Sequence, residues 1–209
     1  MDKQSPEEKL AGVEIKPVER ECLERVFEYL RTRTTNKPKD VEQKISAQDL
    51  IKTLQILGEK PTKSEVDLMI WEVDDDLDKQ VSKIEFDKMY KRCISDESGL
   101  EPRKLYNLVV FLMYDKEFKG RVSVEDTLQL LYVRHGRPNL DEEIKAIFGE
   151  NEKTEEGNEK FIEYHDYIEK INHRAMEERK KRKADKKLYY SKQLGVLKNG
   201  IEDEDYSRH

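Results

Sequence analysis

The sequence predicts an all-α protein built from four helix–loop–helix units and a long final helix. Three observations carry that prediction. Apolar residues recur at helical spacing along most of the chain, and polar loops interrupt them at regular intervals. Each loop also holds one β-branched apolar residue: Ile45, Val81, Val122 and Ile162. Their separations are 36, 41 and 40 residues, the signature of a repeated supersecondary unit.

Taken in order, residues 1–13 read as a flexible lead, of which Met1 to Leu10 is polar and acidic, unlike a secretory signal. A helix from about Val18 to Thr32 sets Cys22, Val26, Phe27 and Leu30 on one face. A polar stretch, 34–44, follows. The next helix turns Leu50, Leu54 and Leu57 inward and stops at Gly58. Thr62 and Glu65 have capping-box spacing for a third helix, striped by Val66, Met69, Ile70 and Val73, with Trp71 read as half-buried beside the stripe. After an acidic loop, Phe86, Met89, Tyr90 and Cys93 resume the helical pattern.

Ser, Gly and Pro within 96–102 break the periodicity, so this segment reads as the linker between a first pair of units, 14–95, and a second pair, 103–173. Leu105 to Tyr114 is a strongly apolar helix. A loop, Asp115 to Asp126, separates it from a helix expected to turn Leu128, Leu131 and Tyr132 inward and to end near His135. Asn139 is expected to cap a helix from Leu140 to Phe148. Tyr167, Ile168, Ile171 and Ala175 open the last helix, which continues over 174–209 as a basic arm with an acidic tail at Glu202 to Asp205.

Composition narrows the function. Charged residues make up 41% and hydrophobic ones 35%, which suits small helical lobes better than one large core. The 46 acids outnumber the 40 bases, so a surface that wraps nucleic acid is not expected. No apolar stretch reaches the ~18 residues of a membrane span. Cys22 and Cys93 form no C-x-x-C pair and read as reduced thiols of a cytoplasmic protein. His135, His165, His173 and His209 have no spacing that suggests a catalytic triad or a metal set, and no glycine loop for phosphate is present. The expectation is a non-enzymatic protein.

The chemistry lies in the twelve residues Asp74 to Glu85, with carboxylates at loop positions 1, 3, 5 and 12. Calcium is a hard cation that takes six to eight oxygens, and a loop curled around it brings alternate side chains together. Asp74, Asp76 and Asp78 would converge, Gln80 would offer its carbonyl, Ser82 would ligate directly or through water, and Glu85 would close the site with both oxygens. Ser82 and Glu85 also have capping-box spacing, so the ligand set and the start of the exiting helix overlap.

Residues Ile45 to Tyr90 resemble the calmodulin and troponin C family of EF-hand proteins. The matching features are Ile45, Leu57-Gly58, Pro61-Thr62, Glu65, Glu72-Val73-Asp74 and Glu85-Phe86, and the likeness extends with less strength to about Tyr167. The resemblance implies two EF-hand pairs, calmodulin-like lobes, with an extended C-terminal helix. The cofactor implied is Ca2+, with Mg2+ as the alternative hard cation. One residue departs from the pattern: the sixth loop position, normally glycine, is Lys79. A non-glycine residue at positive φ costs roughly 1–2 kcal/mol. The expected affinity is therefore weak, on the order of 10⁻⁵ M, and Lys79→Gly should improve it.

The other loops are poorer. The first, between Leu30 and Asp49, is overlong and lacks acids where ligands belong. The third offers Asp115, Glu117 and Asp126 as a weaker candidate set, but Lys119 fills its fifth position and an aspartate replaces the closing glutamate. The fourth, Glu152 to Asp166, carries extra residues. These loops should pair as short β-bridges, Ile45 with Val81 and Val122 with Ile162.

Arg179, Lys180, Lys181, Arg182, Lys183, Lys186 and Lys187 form the basic arm, suited to docking on an acidic partner or simply to a solvated helix. Two roles fit this sequence. One is a calcium-responsive adaptor that grips helical segments of a partner protein. The other is a calcium-independent scaffold. The run from Trp71 to Asp78, Gly99 to Arg103 and Phe111 to Asp115 also resembles calmodulin-like proteins of cilia and flagella, which implies an axonemal, microtubule-associated setting. Neither role calls for a membrane.

Overall fold

The computed structural model describes residues 10–34, 44–150 and 159–205, with side chains as far as Ser191. The N-terminal lead up to residue 9, the stretch 35–43, residues 151–158 of the fourth loop and residues 206–209 lie outside the described residues. The acidic side chains of 202–205 do so too.

The chain is all-α. Its helices are α1 (Pro17–Arg31), α2 (Ala47–Ile56), α3 (Lys63–Trp71), α4 (Lys83–Ile94), α5 (Lys104–Tyr114), α6 (Val124–His135), α7 (Arg137–Phe148) and α8 (Tyr164–Asp205). The short strands are β1 (Ile45–Ser46), β2 (Gln80–Val81), β3 (Arg121–Ser123) and β4 (Phe161–Glu163). β1 pairs antiparallel with β2, setting Ile45 opposite Val81. β3 pairs with β4, setting Val122 opposite Ile162. Both expected bridges are therefore present, and their apolar residues are buried. The repeat has a local cause as well. α2, α4 and α6 each begin on a capping box at the end of a strand: Ser46 with Asp49, Ser82 with Glu85, and Ser123 with Asp126.

Two compact units make up the chain, Met1–Lys170 and Ile171–His209. In the first, α5 lies at the centre. Every residue from Leu105 to Tyr114 is buried, as a helix apolar on all sides must be. It packs against α1, α3 and α4, three helices of the first pair. Phe111 and Tyr114 also meet Tyr167 at the start of α8.

Polar ties join the two pairs. Arg25 of α1 donates to the carbonyls of Leu112, Met113, Asp115 and Lys116, at 2.9–3.2 Å. Leu112 and Met113 carry last-turn carbonyls left without helical partners, and Asp115 and Lys116 follow in the loop. Tyr29 stacks on Phe118 with ring centroids 3.6 Å apart. Glu19 is buried; it accepts from Tyr90 Oη at 2.7 Å, and Arg134 Nε lies 3.6 Å from it. Arg134 also donates to Tyr106 Oη. The segment read as a linker is a fixed turn within this unit. The Asp96 carboxylate accepts from the N–H groups of Ser98, Gly99 and Glu101 and from Arg103, while Arg92 pairs with Glu101.

Several sequence expectations are corrected. Trp71 is 67% exposed rather than half-buried, because the apolar stripe of α3 turns Val66, Met69 and Ile70 inward and leaves Trp71 outside it. Leu128 and Tyr132 are exposed, and the inward face of α6 is Thr127, Leu130 and Leu131. Asn139 is not a cap. Pro138 lies in the first turn of α7, the chain turns at Gly136 with φ 73, and Asn139 Nδ2 donates back to the His135 carbonyl. Proline tolerates that first turn because no N–H is needed there.

In the second unit, Arg179, Lys180, Lys181, Arg182, Lys183, Lys186 and Lys187 are all exposed. Lys180 pairs with Glu177, Arg182 with Glu178, and Lys186 lies over the Tyr190 ring. Among the described residues, no helix is long and apolar enough to cross a membrane.

Burial makes stability pH-dependent. It pushes the Tyr114 phenol up to about 12 from an ordinary 10.0 and the Cys93 thiol up to about 12 from 9.0. Above the lower values the unfolded chain gives up protons that the folded chain keeps. Stability contributed by these groups is thus whole below pH ~9 and falls as pH rises towards 12. Circular dichroism against pH should show alkaline unfolding in that window, with tyrosinate absorbance rising together with the loss of helix. Titration of Tyr114 at its ordinary value, with helix intact, would contradict the burial.

Candidate metal centre

The site is the turn between α3 and α4. The N–H groups of Val73 and Asp74 both close on the Ile70 carbonyl, so the helix ends where the acidic run begins. Asp74 is buried and organises the loop. Its Oδ1 accepts from the N–H of Asp78 at 3.2 Å and its Oδ2 from the N–H of Lys79 at 2.8 Å. Asp76 Oδ1 accepts from Asp78 N–H, and Asp78 Oδ1 from Gln80 N–H. Leu77 and Lys79 take positive φ, 62 and 64. The result is a tight curl in which Asp74, Asp76 and Asp78 each bring a carboxylate oxygen within 4.8 Å of the others.

Glu85 closes the curl from α4. Its Oε2 accepts from Ser82 N–H at 2.8 Å and Ser82 Oγ at 2.7 Å, and its Oε1 from Asp75 N–H at 2.8 Å. One carboxylate therefore caps α4 and ties the twelfth loop position to the second. Gln80 opens β2 at loop position 7, and Ser82 follows the strand at position 9 as the cap of α4. Hard oxygen donors without His or Cys suit calcium or magnesium better than zinc or copper, so the donor set fits the cation that the sequence implies. Two lysines lie against it. Lys88 Nζ is 2.6 Å from Asp75. Lys44 Nζ is 2.6 Å from Asp78 Oδ2 and 3.1 Å from Asp76 Oδ2. Hydrogen bonding to Asp78 and then to Asp76 raises the Lys44 ammonium above its ordinary pKa. Lys44 in turn holds the Asp76 carboxyl below its own.

Lys79 shows where the glycine departure takes effect. Its positive φ is fixed by the hydrogen bond from its own N–H to Asp74. The strain therefore weighs on folding as well as on ion binding. Lys79→Gly should raise the unfolding free energy by about 1 kcal/mol in urea titration. An unchanged midpoint would mean that the turn is unstrained.

The third loop has the same backbone and a different chemistry. Phe118 and Gly120 take positive φ at positions 4 and 6, and Asp115 accepts from the N–H groups of Lys119 and Gly120 as Asp74 does from Asp78 and Lys79. Glu117 is paired with Lys119, Asp126 reaches Ser123, and the Arg25 guanidinium lies on the carbonyls of positions 1 and 2. Asp115, Glu117 and Asp126 form no converging group among the described residues. At the described ends of the first loop, Thr34 and Ser46 meet Asp49. Fully buried Asp49 accepts from Thr34 N–H at 2.9 Å and Thr34 Oγ1 at 2.6 Å, and caps Ser46 with its other oxygen.

Sequence reasoning missed Lys44, Arg25 and the Glu19–Arg134 pair. Each acts on a residue at least 32 positions away, and no local pattern marks such a partner. Trp71 and Leu68 line a shallow cleft with Lys63 and Lys79 at the mouth of the loop, which makes Trp71 an optical reporter for it.

The family model of the EF-hand domain pair matches residues 42–93, from just before β1 to the end of α4. No curated protein matches the chain.

Proposed function

We propose that this chain is a calcium-binding EF-hand protein in which one loop, Asp74 to Glu85, takes the ion while the first pair of units clasps a helix of its own chain. The observation that carries the reading is the convergence of Asp74, Asp76 and Asp78 in a loop closed by Glu85, within the segment matched as an EF-hand pair. The bound cation would supply positive charge at the centre of these oxygens. Glu85 already serves Ser82 and Asp75, so any move of its carboxylate towards an ion changes the cap of α4. Ion binding and helix packing are coupled there.

An adaptor of the calmodulin type needs a free apolar groove for a partner helix. Here the buried run Leu105 to Tyr114 of α5 packs on α1, α3 and α4, and on this reading it fills such a groove from within the chain. Calcium on this reading stiffens an internal clasp. The same observation supports a second reading, a calcium-independent scaffold whose exposed basic arm meets an acidic protein surface. The resemblance to ciliary calmodulin-like proteins would place that scaffold on the axoneme, against acidic tubulin tails.

Thermal melts with and without calcium, read beside binding of a hydrophobic dye, separate the readings. At about 100 times the dissociation constant, calcium should add about 2.7 kcal/mol of stability. The melting temperature should then rise by roughly 5–10 °C without dye uptake. Strong dye uptake would mean that the groove opens, as an adaptor requires. No thermal shift would leave the scaffold alone.

A further inference from the structure

We infer that Lys44 is a tethered competitor of the metal ion, and that calcium binds this loop only by displacing its ammonium. The inference rests on the calcium reading of Asp74 to Glu85. It begins with strand geometry. Ile45 is fully buried opposite Val81. Side chains alternate along a strand, so Lys44, one residue earlier, points to the other side and across to the neighbouring loop. Its Nζ contacts Asp78 Oδ2 at 2.6 Å and Asp76 Oδ2 at 3.1 Å. These carboxylates are loop positions 5 and 3, two of the three that converge as an oxygen cluster. The Lys44 side chain is only 18% exposed, although Asp76 is 56% exposed, so its stem is held in place while its head covers the acids.

An ammonium and a divalent cation cannot share the same oxygens at contact distance, because the like charges repel. Calcium offers twice the charge and a larger coordination number, and it can win. It does so against a cation that is covalently attached and hence always present at high local concentration. Lys44 therefore sets the affinity of the site. It also links the ion to β1, the strand of the first loop, through a side chain that must let go.

Calcium titration of the full-length chain by calorimetry, with Lys44→Gln and Lys44→Arg beside the natural sequence, tests this. Lys44→Gln should bind about tenfold tighter, and Lys44→Arg should not. Amine acylation read by peptide mass spectrometry should show Lys44 becoming several-fold more reactive when calcium is added. If the natural chain and Lys44→Gln bind with equal affinity, or Lys44 reactivity does not change, the competitor role is overturned while the calcium reading stands. If neither protein binds calcium, the reading beneath it is overturned as well.

Discussion

Arg134→Ala is expected to lower the unfolding free energy by about 3–5 kcal/mol, the cost of breaking a buried ion pair from one side. Arg134 is 13% exposed and Glu19 5%. Truncation would leave the Glu19 carboxylate facing the interior with Tyr90 Oη and the Lys16 N–H as its remaining hydrogen-bond partners. It would also remove the cation lying between the Tyr90 and Tyr106 rings. Because Glu19 belongs to α1, Tyr90 to α4 and Arg134 to α6, the loss falls on the junction between the two pairs. Urea unfolding followed by circular dichroism measures it. Replacing both charges, as Glu19→Leu with Arg134→Met, should recover much of the loss, since apolar residues of similar size often substitute for a buried pair at little cost. A single-variant loss under ~1 kcal/mol, the range of an exposed pair, would show that the junction is wet.

Glu85→Ala is expected to weaken calcium binding from on the order of 10⁻⁵ M to weaker than 10⁻³ M, because the closing bidentate ligand is the one a calcium loop can least spare. The same change removes acceptors from Ser82 and Asp75, so stability should fall by about 1–2 kcal/mol even without calcium. Asp126→Ala is the matched control. It removes the equivalent cap from Ser123 and should cost about 1 kcal/mol while leaving calcium stoichiometry unchanged. Equal effects of the two variants on calcium binding would place a second ion in the third loop and contradict the difference drawn between them.

How much of this was legible in the sequence depends on whether local spacing or the repeat marks it. The helices and the capping boxes follow from local spacing, and the repeat itself marks the β-bridges, Ile45 with Val81 and Val122 with Ile162. The convergence of Asp74, Asp76 and Asp78 is likewise local, since it depends on a five-residue curl. The apolar run Leu105 to Tyr114 is plainly a buried helix, yet nothing in it says that α1, α3 and α4 of the other pair receive it. Arg25 reads as an exposed helical arginine until α5 ends against it. Lys44 reads as the last residue of a polar stretch until strand pairing carries it to Asp78. Trp71 is the exception: a large aromatic beside an apolar stripe suggests burial, whereas the direction of the stripe leaves it at the surface.

A single ion at Asp74 to Glu85 is checked by counting. Calorimetric titration of calcium into the full-length chain, in millimolar magnesium and with Trp71 fluorescence read in parallel, should give one site per chain. That site should disappear in Glu85→Ala and persist in Asp126→Ala. No heat up to millimolar calcium, or a stoichiometry of two, would rule out a single ion at this loop.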